Sequence, residues 1–399
     1  MKRKGATRKT VTLHGREFLV PDYHGGSIVN LMSSVITARG GKAVYPELRL
    51  LPAAELKDAK NVVVFIVDGL GAEWMSRHAK KSFLGRHGKG VMTSVFPPTT
   101  AAATTTYYSG VTAQQHALTG WYVYAKELGI VFAPLPPFTR SGGLPVPQLD
   151  MREFSGVQSV FERVRTSSYQ VIPAEYVGTP YNDWFSRGAK LFTYTTLHEC
   201  FENVVKAVKK PGRKLVLAYW PEFDKRTHHH GTRDASVMSH FKSLDEKFEL
   251  LARKLAGTDT ALIVSADHGL TDIPKKRILN VEEHPELAKL LALPLSGEAR
   301  MSYAYVRDGK AGAFESYMKR RLGRVATVVK SETAFKQGLF GLGAVHPKFR
   351  ERIGDYLIIM KDGYALQDTL IGEHHSKHPG RHGGVSKEEM LVPLIVLRC

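Results

Sequence analysis

The feature that most restricts how this chain can fold is Val62-Val-Val-Phe-Ile-Val-Asp68-Gly-Leu-Gly71. Six apolar residues in a row leave no solvent face, the pattern of a strand covered on both sides, as in a parallel sheet. The run ends in an aspartate and two glycines. Open α/β sheets bind their ligands outside the carboxyl ends of the strands, so Asp68 stands where a site residue is expected. Two later segments repeat the design: Lys214-Leu-Val-Leu-Ala-Tyr219 delivers Trp220-Pro-Glu-Phe-Asp224, and Thr260-Ala-Leu-Ile-Val-Ser265 delivers Ala266-Asp267-His268-Gly269. Val91-Met-Thr-Ser-Val-Phe96 reads as a fourth strand, halted by Pro97-Pro98 just before Thr99 and Thr100. Strand ends from distant parts of a chain meeting on one rim is the layout of an α/β active site.

The connections fit the same plan. Ser27 is a plausible N-cap for a helix through Ile28, Leu31, Met32 and Ile36, closed by Gly40-Gly41. Val11–Val20 alternates as a strand or hairpin arm, and a helix is expected over Glu73–Lys81. Prolines ahead of an alanine-rich run set a helix start near Thr99 or Thr100. Residues 121–150, rich in aromatics, prolines and glycines, read as an irregular wall. The segment 151–213 alternates helical pieces (Val157–Val164, Leu197–Lys209) with short strands, and Asp234–Leu255 reads as a helix. Residues 275–370 show no acidic strand end. They are expected to hold a strand at Met301–Val306, an amphipathic helix around Phe314–Leu322 and a strand at Asp355–Met360. The expected organisation is a basic tail over 1–10, a core over 11–274 and 371–399, and a smaller α+β lobe over 275–370. Met390–Leu397 is the last strand, and its proline points to a sheet edge.

Lys+Arg 56 against Asp+Glu 38 gives a net charge of +18, which favours an anionic partner such as a nucleotide, nucleic acid or anionic lipid. A generally basic, solvated surface accounts for the charge as well. Cys200 and Cys399 are the sole cysteines, so no disulfide framework is expected. The basic start (Lys2, Arg3, Lys4, Arg8, Lys9) is followed by no apolar signal region. No apolar run reaches the roughly 20 residues needed to span a bilayer. The expected location is cytoplasmic.

The acidic strand ends come with imidazoles. Asp224 and His228 are spaced i, i+4, which puts both on one face of a helical turn, where they can share a cation; a capping aspartate beside a solvated His228-His229-His230 cluster is the plainer reading. Asp267-His268-Gly269 offers adjacent oxygen and nitrogen ligands of the kind that suit Zn²⁺ or Mn²⁺, or else a surface turn. His382-Gly-Gly closes a loop that also holds His374, His375 and His378, and these last three are expected either to stand behind the ligands or to face solvent. Threonine supplies the nucleophile candidate, because a metal ion and a helix N-terminus both activate a hydroxyl. The alternative for Thr99 or Thr100 is a simple N-cap.

As an ordered set, Asp68, Pro98-Thr99-Thr100, Asp224-x-x-x-His228, Asp267-His268-Gly269 and His382-Gly-Gly resemble the alkaline phosphatase superfamily, closest to its nucleotide pyrophosphatase/phosphodiesterase branch. The likeness runs from about Ser27 to Val396. The stretch from His382 to Pro393 is also similar to cofactor-independent phosphoglycerate mutases. The resemblance implies an α/β sandwich with a central, mostly parallel sheet flanked by helices. It implies two divalent cations, zinc or manganese, one on Asp224, His228 and His382 and the other on Asp68, Asp267 and His268. Thr100 would lie between them as nucleophile, with Thr99 one residue away. The diesterase branch has an Asn-His pair after the nucleophile; this chain has Ala102, Ala103 and Thr104. A phosphoryl oxygen therefore needs another donor: a backbone N–H, Thr104 or a basic residue, with Arg140 the candidate. The implied activity is phosphodiester or pyrophosphate hydrolysis of a nucleotide-like small molecule through a covalent threonine. The alternatives are phosphomonoester or phosphosugar chemistry on the same site, and a non-catalytic polyanion-binding protein.

Overall fold

The unbroken apolar runs form the middle of a seven-stranded sheet. The computed structural model describes residues 10–13, 16–146, 149–370, 372–373 and 376–399; most of the basic tail, and His374 and His375, lie outside them. The strands are β1 (Asn61–Val67), β2 (Gly88–Thr93), β3 (Ser167–Pro173), β4 (Ala189–Tyr194), β5 (Lys214–Trp220), β6 (Thr260–Ser265) and β7 (Leu391–Arg398), in the order β2-β7-β6-β1-β5-β3-β4. Every residue of β1, β5 and β6 is buried, as their composition requires. The β6-β1, β1-β5, β5-β3 and β3-β4 pairs are parallel, and β7 runs antiparallel to both its neighbours. Register puts Ile66 beside Tyr219 and beside Ser265, so the carboxyl ends of β1, β5 and β6 share one rim.

Helices flank the sheet. Phe65 of β1 meets Phe201 and Phe248 at centroid distances of 5.0 and 4.8 Å, which seats the Leu197–Val208 and Ala235–Leu255 helices on that face. The Ile28–Ala38 helix opens with a Ser27–Asn30 capping box and packs against the Thr100–Ser109 helix. Thr10–Leu13 and Arg16–Leu19 form an antiparallel pair.

Several expectations need correction. The first part of the wall expected over 121–150 is not irregular: Val123–Ala125, Ile130–Pro134 and Pro137–Thr139 make a three-stranded antiparallel sheet. Pro134 and Pro137 sit at strand ends, where a missing N–H costs little, and Phe132 packs on Phe154 at 5.3 Å. The β2 strand ends at Thr93, three residues earlier than expected. The β7 strand is interior despite Pro393. Its ladder to β6 stops at Ile395, so the proline's missing N–H interrupts nothing there. The helix around Phe314–Leu322 is Ala311–Tyr317, followed by a wider π turn over Met318–Leu322.

Between Ser296 and Met360, four antiparallel strands lie in the order Ser296–Glu298, Met301–Ala304, Tyr356–Met360, Ala326–Lys330. They share a second apolar cluster that includes Phe314, Met318, Leu322, Ile358 and Leu366. This segment does have an acidic strand end, Glu298, and it enters the site.

Candidate active site

Asp68 follows β1 directly and is 2% exposed. Its Oδ2 accepts from the Tyr219 phenol of the neighbouring β5, while its Oδ1 is buried without a hydrogen-bond partner. Gly69 takes a left-handed φ of 75°, which turns its N–H onto Asp267 Oδ1 at 3.1 Å. The His268 N–H also reaches that oxygen at 2.9 Å, and Asp267 Oδ2 is left buried and unpartnered. Asp224 sits in the Glu222–His230 helix; its Oδ2 lies 3.2 Å from His228 Nε2, and its Oδ1 is again an orphan. Each of the three carboxylates thus has one oxygen beside a group of the chain and the other buried without a hydrogen-bond partner among the described residues.

The imidazoles divide their two nitrogens similarly. His228 Nδ1 lies 2.8 Å from the Gly380 carbonyl and His268 Nδ1 lies 3.2 Å from the Gly269 carbonyl. A carbonyl only accepts, so both Nδ1 atoms carry the proton and both Nε2 atoms face the carboxylates. His268 Nε2 is 3.4 Å from Asp68 Oδ1, 3.5 Å from Asp267 Oδ2 and 3.1 Å from Thr100 Oγ1. His382 stacks on His268 at 3.8 Å, 5.0 Å from the His228 ring, and its Nδ1 has no partner.

Two sets of ligand atoms each fall within 4.8 Å of one another: Asp68, Asp267 and His268, and Asp224, His268 and His382. The first is the set that the family resemblance implies. In the second, His268 stands where His228 was expected, with His228 against Asp224 and beside His382. Three buried carboxylates with orphan oxygens would be strongly unfavourable without cations. Burial, then Asp267 and Asp224, push the Asp68 carboxyl well above its ordinary range. Burial also raises Asp224, but the imidazoles around it, His228 first and then His382 and His268, together outweigh it and hold that carboxyl low. Burial and His268 keep His382 neutral, the form a metal ligand needs. Both residue sets therefore fit divalent cations.

Thr99 and Thr100 part company here. Thr99 is the N-cap position, with extended backbone, and its hydroxyl donates to Glu298 Oε1; Thr100 opens the ten-residue helix with its hydroxyl on His268. Glu298 also accepts the Trp121 N–H at 3.1 Å, and burial pushes its carboxyl up to about 7. Sequence reading missed Glu298, whose strand is three residues long, and missed the Tyr219 phenol, which looked like one more core residue of β5.

Thr100, Trp121, Asp224 and Lys225 border two cavities. The smaller, about 200 Å³, has an aromatic wall of Tyr108, Tyr176, Tyr181 and Tyr219; the larger, about 570 Å³, carries the charged groups Arg140, Glu298 and Arg381 together with His382. Thr104 lines the smaller cavity with its hydroxyl donated to the Thr100 carbonyl at 2.6 Å. Arg140 lines the larger one, but its guanidinium is already paired with Asp368 and Glu373 and lies over Tyr122 at 4.8 Å. Both expected phosphoryl donors are at the site, and both have partners within the chain. Of the outer histidines, His378 lies 4.6 Å from His229 and 5.7 Å from His228, ring to ring.

The family model for type I phosphodiesterase / nucleotide pyrophosphatase matches residues 62–384, the span that holds every one of these side chains. Among solved structures, murine ectonucleotide pyrophosphatase / phosphodiesterase 5 is similar at a TM-score of 0.62 and 17% identity, over 84% of this chain and 87% of that one. An inactive variant of the murine protein in complex with AMP matches at 0.61 and 16%, with the same coverage. Phosphonoacetate hydrolase from Sinorhizobium meliloti 1021, in complex with phosphonoformate, matches at 0.63 and 14%, over 98% of this chain and 94% of that one. At these identities the structural likeness speaks for the fold.

Proposed function

This chain belongs to the type I phosphodiesterase / nucleotide pyrophosphatase family, and from that premise we propose that it hydrolyses a nucleotide-like phosphodiester or pyrophosphate by way of a covalent threonine. The observation that carries the reading is the Thr100 hydroxyl at a helix N-terminus, 3.1 Å from His268 and beside three half-satisfied carboxylates. Asp68, Asp267 and His268 would hold one divalent cation, and Asp224, His228 and His382 the other, with His268 within reach of both. Zinc or manganese suits such mixed oxygen and nitrogen donors. When bound, the cations supply positive charge that lowers the pKa of a hydroxyl and offsets charge on phosphoryl oxygens.

The chain's own groups do the rest. His268 Nε2 sets the position of Thr100 Oγ1; the hydroxyl proton passes to solvent, and the oxygen attacks phosphorus in line. The bond to the leaving oxygen breaks, and that oxygen departs as an alcohol or phosphate. Water then attacks the phosphothreonine ester from the opposite side, which releases the second product and restores the hydroxyl. With the side chains of Thr104 and Arg140 already engaged, the first N–H groups of the Thr100–Ser109 helix are the donors for a phosphoryl oxygen. The aromatic cavity suits a base, and net charge of +18 suits an anionic substrate.

A second reading, a phosphomonoester or phosphonate substrate, draws on the charged groups of the larger cavity and on the absence of the Asn-His pair. Rates on dinucleotides, nucleotide sugars, nucleoside triphosphates and monoesters with added Zn²⁺ or Mn²⁺ separate the two. Thr100→Ala should abolish turnover, about 10⁴-fold or more, while metal content stays at the wild-type level. Wild-type turnover in a fully metallated Thr100→Ala protein would sink the nucleophile assignment.

A further inference from the structure

The larger cavity holds two buried guanidiniums in different circumstances. That of Arg140 is balanced by Asp368 and Glu373. Arg381 is 8% exposed, and its Nη2 donates to two neutral oxygens, Gln367 Oε1 at 3.0 Å and the Ser376 carbonyl at 2.8 Å. Its Nε is buried with no hydrogen-bond partner among the described residues. Among the described residues, no carboxylate lies within ion-pair distance of it. A full charge taken out of water is unfavourable unless an opposite charge and hydrogen bonds replace the water, and here the chain provides neither completely.

Glu298, in the same cavity, favours the charge without forming an ion pair with it, which leaves room for an anion from outside. Arg381, Gln367 and Ser376 line the same cavity as Thr100 and His382, so an anion bound there shares one space with the reacting phosphorus. With both Nη2 N–H groups engaged, the Nε and Nη1 N–H groups are the donors Arg381 can offer to an oxygen of a phosphate or carboxylate. We propose that Arg381 receives a second oxyanion of the substrate, so that the preferred substrates carry another phosphate or a carboxylate near the scissile phosphoester. This deepens the phosphodiesterase reading and rests on it.

The test pairs substrates that differ by one anion. Diadenosine diphosphate and adenylyl-adenosine are compared by kcat/KM on metal-loaded wild type, Arg381→Gln and Arg381→Lys. In parallel, 3-phosphonopropionate and propylphosphonate are compared by calorimetric binding. Melting temperature and metal content are read for each variant, and Arg381→Lys stands in if the Gln variant does not fold. Loss of Arg381 should lower at least one of the two ratios tenfold or more, mainly through KM or Kd, with partial recovery in the Lys variant. A drop in the dinucleotide ratio assigns a second phosphate; a drop confined to the phosphonate ratio assigns a carboxylate. If both members of each pair weaken equally, the proposal is overturned. Should wild type hydrolyse neither dinucleotide, the phosphodiesterase reading fails, and the phosphonate pair alone decides the role of Arg381.

Discussion

Each carboxylate at the cleft divides its labour between two oxygens, and the anchoring partner matters as much as the free oxygen. Tyr219 holds Asp68 from the adjacent strand, with both groups buried. Outer partners of this kind typically change metal affinity 10–100-fold. Tyr219→Phe should therefore weaken metal retention by about that factor with the fold intact, as measured by competition with a chelator; undiminished affinity would show that Asp68 needs no such anchor. A second residue-scale prediction concerns His116, away from the ligand sets. Its Nδ1 accepts the Leu118 N–H at 3.1 Å, and burial draws its pKa from 6.5 down to about 3. The unfolded chain thus binds a proton that the folded chain refuses. The neutral ring's contribution is whole above about pH 6.5 and is lost as pH falls towards 3. His116→Asn keeps an acceptor without titrating, so urea midpoints measured from pH 7 to pH 4 should fall less steeply than in wild type.

At the scale of elements, the strand-end turns are built for backbone contact. A Cβ on Gly269 would lie 2.1 Å from the Glu388 carbonyl oxygen and 2.7 Å from Gly71 Cα, main-chain atoms that cannot swing aside. Gly269→Ala should cost about 1–3 kcal/mol and lower metal content through the displaced His268; urea unfolding and metal analysis check both. The same elements show what the sequence could reveal. The β1, β5 and β6 strands were legible because a run with no polar residue has one economical home, and the Thr100 helix because proline cannot lie deeper inside it. The sheet over 121–139 was hidden by prolines, whose harmlessness depends on their lying at strand ends. Glu298 and the Tyr219 phenol were out of reach for a different reason: their partners, Thr99 and Asp68, lie 199 and 151 residues away. Likewise, Arg140 looked like a free cation until the fold brought Asp368 and Glu373 against it.

Across the whole molecule, one buried ion pair ties the separate parts together. Arg300, beside the Ser296–Glu298 strand, reaches Glu389 with Nε at 3.0 Å and Nη2 at 2.8 Å, and neither side chain is exposed. Glu389 also accepts the Gly384 N–H at 2.8 Å, two residues beyond His382. Arg300→Leu would leave Glu389 buried without its counter-charge, at a cost of about 3–5 kcal/mol. It should also loosen the His382 loop, so lower thermal stability and lower metal occupancy are expected together. The position of β7 has a consequence for how the molecule is made. Of the seven strands it comes last in the chain, yet it fills the slot between β2 and β6. While a ribosome is still supplying residues before 391, two ladder edges stand open and the sheet is divided. Thr100, which follows β2, can join the rim of β1, β5 and β6 only when synthesis has passed this strand, and until then the open edges are exposed to wrong pairing.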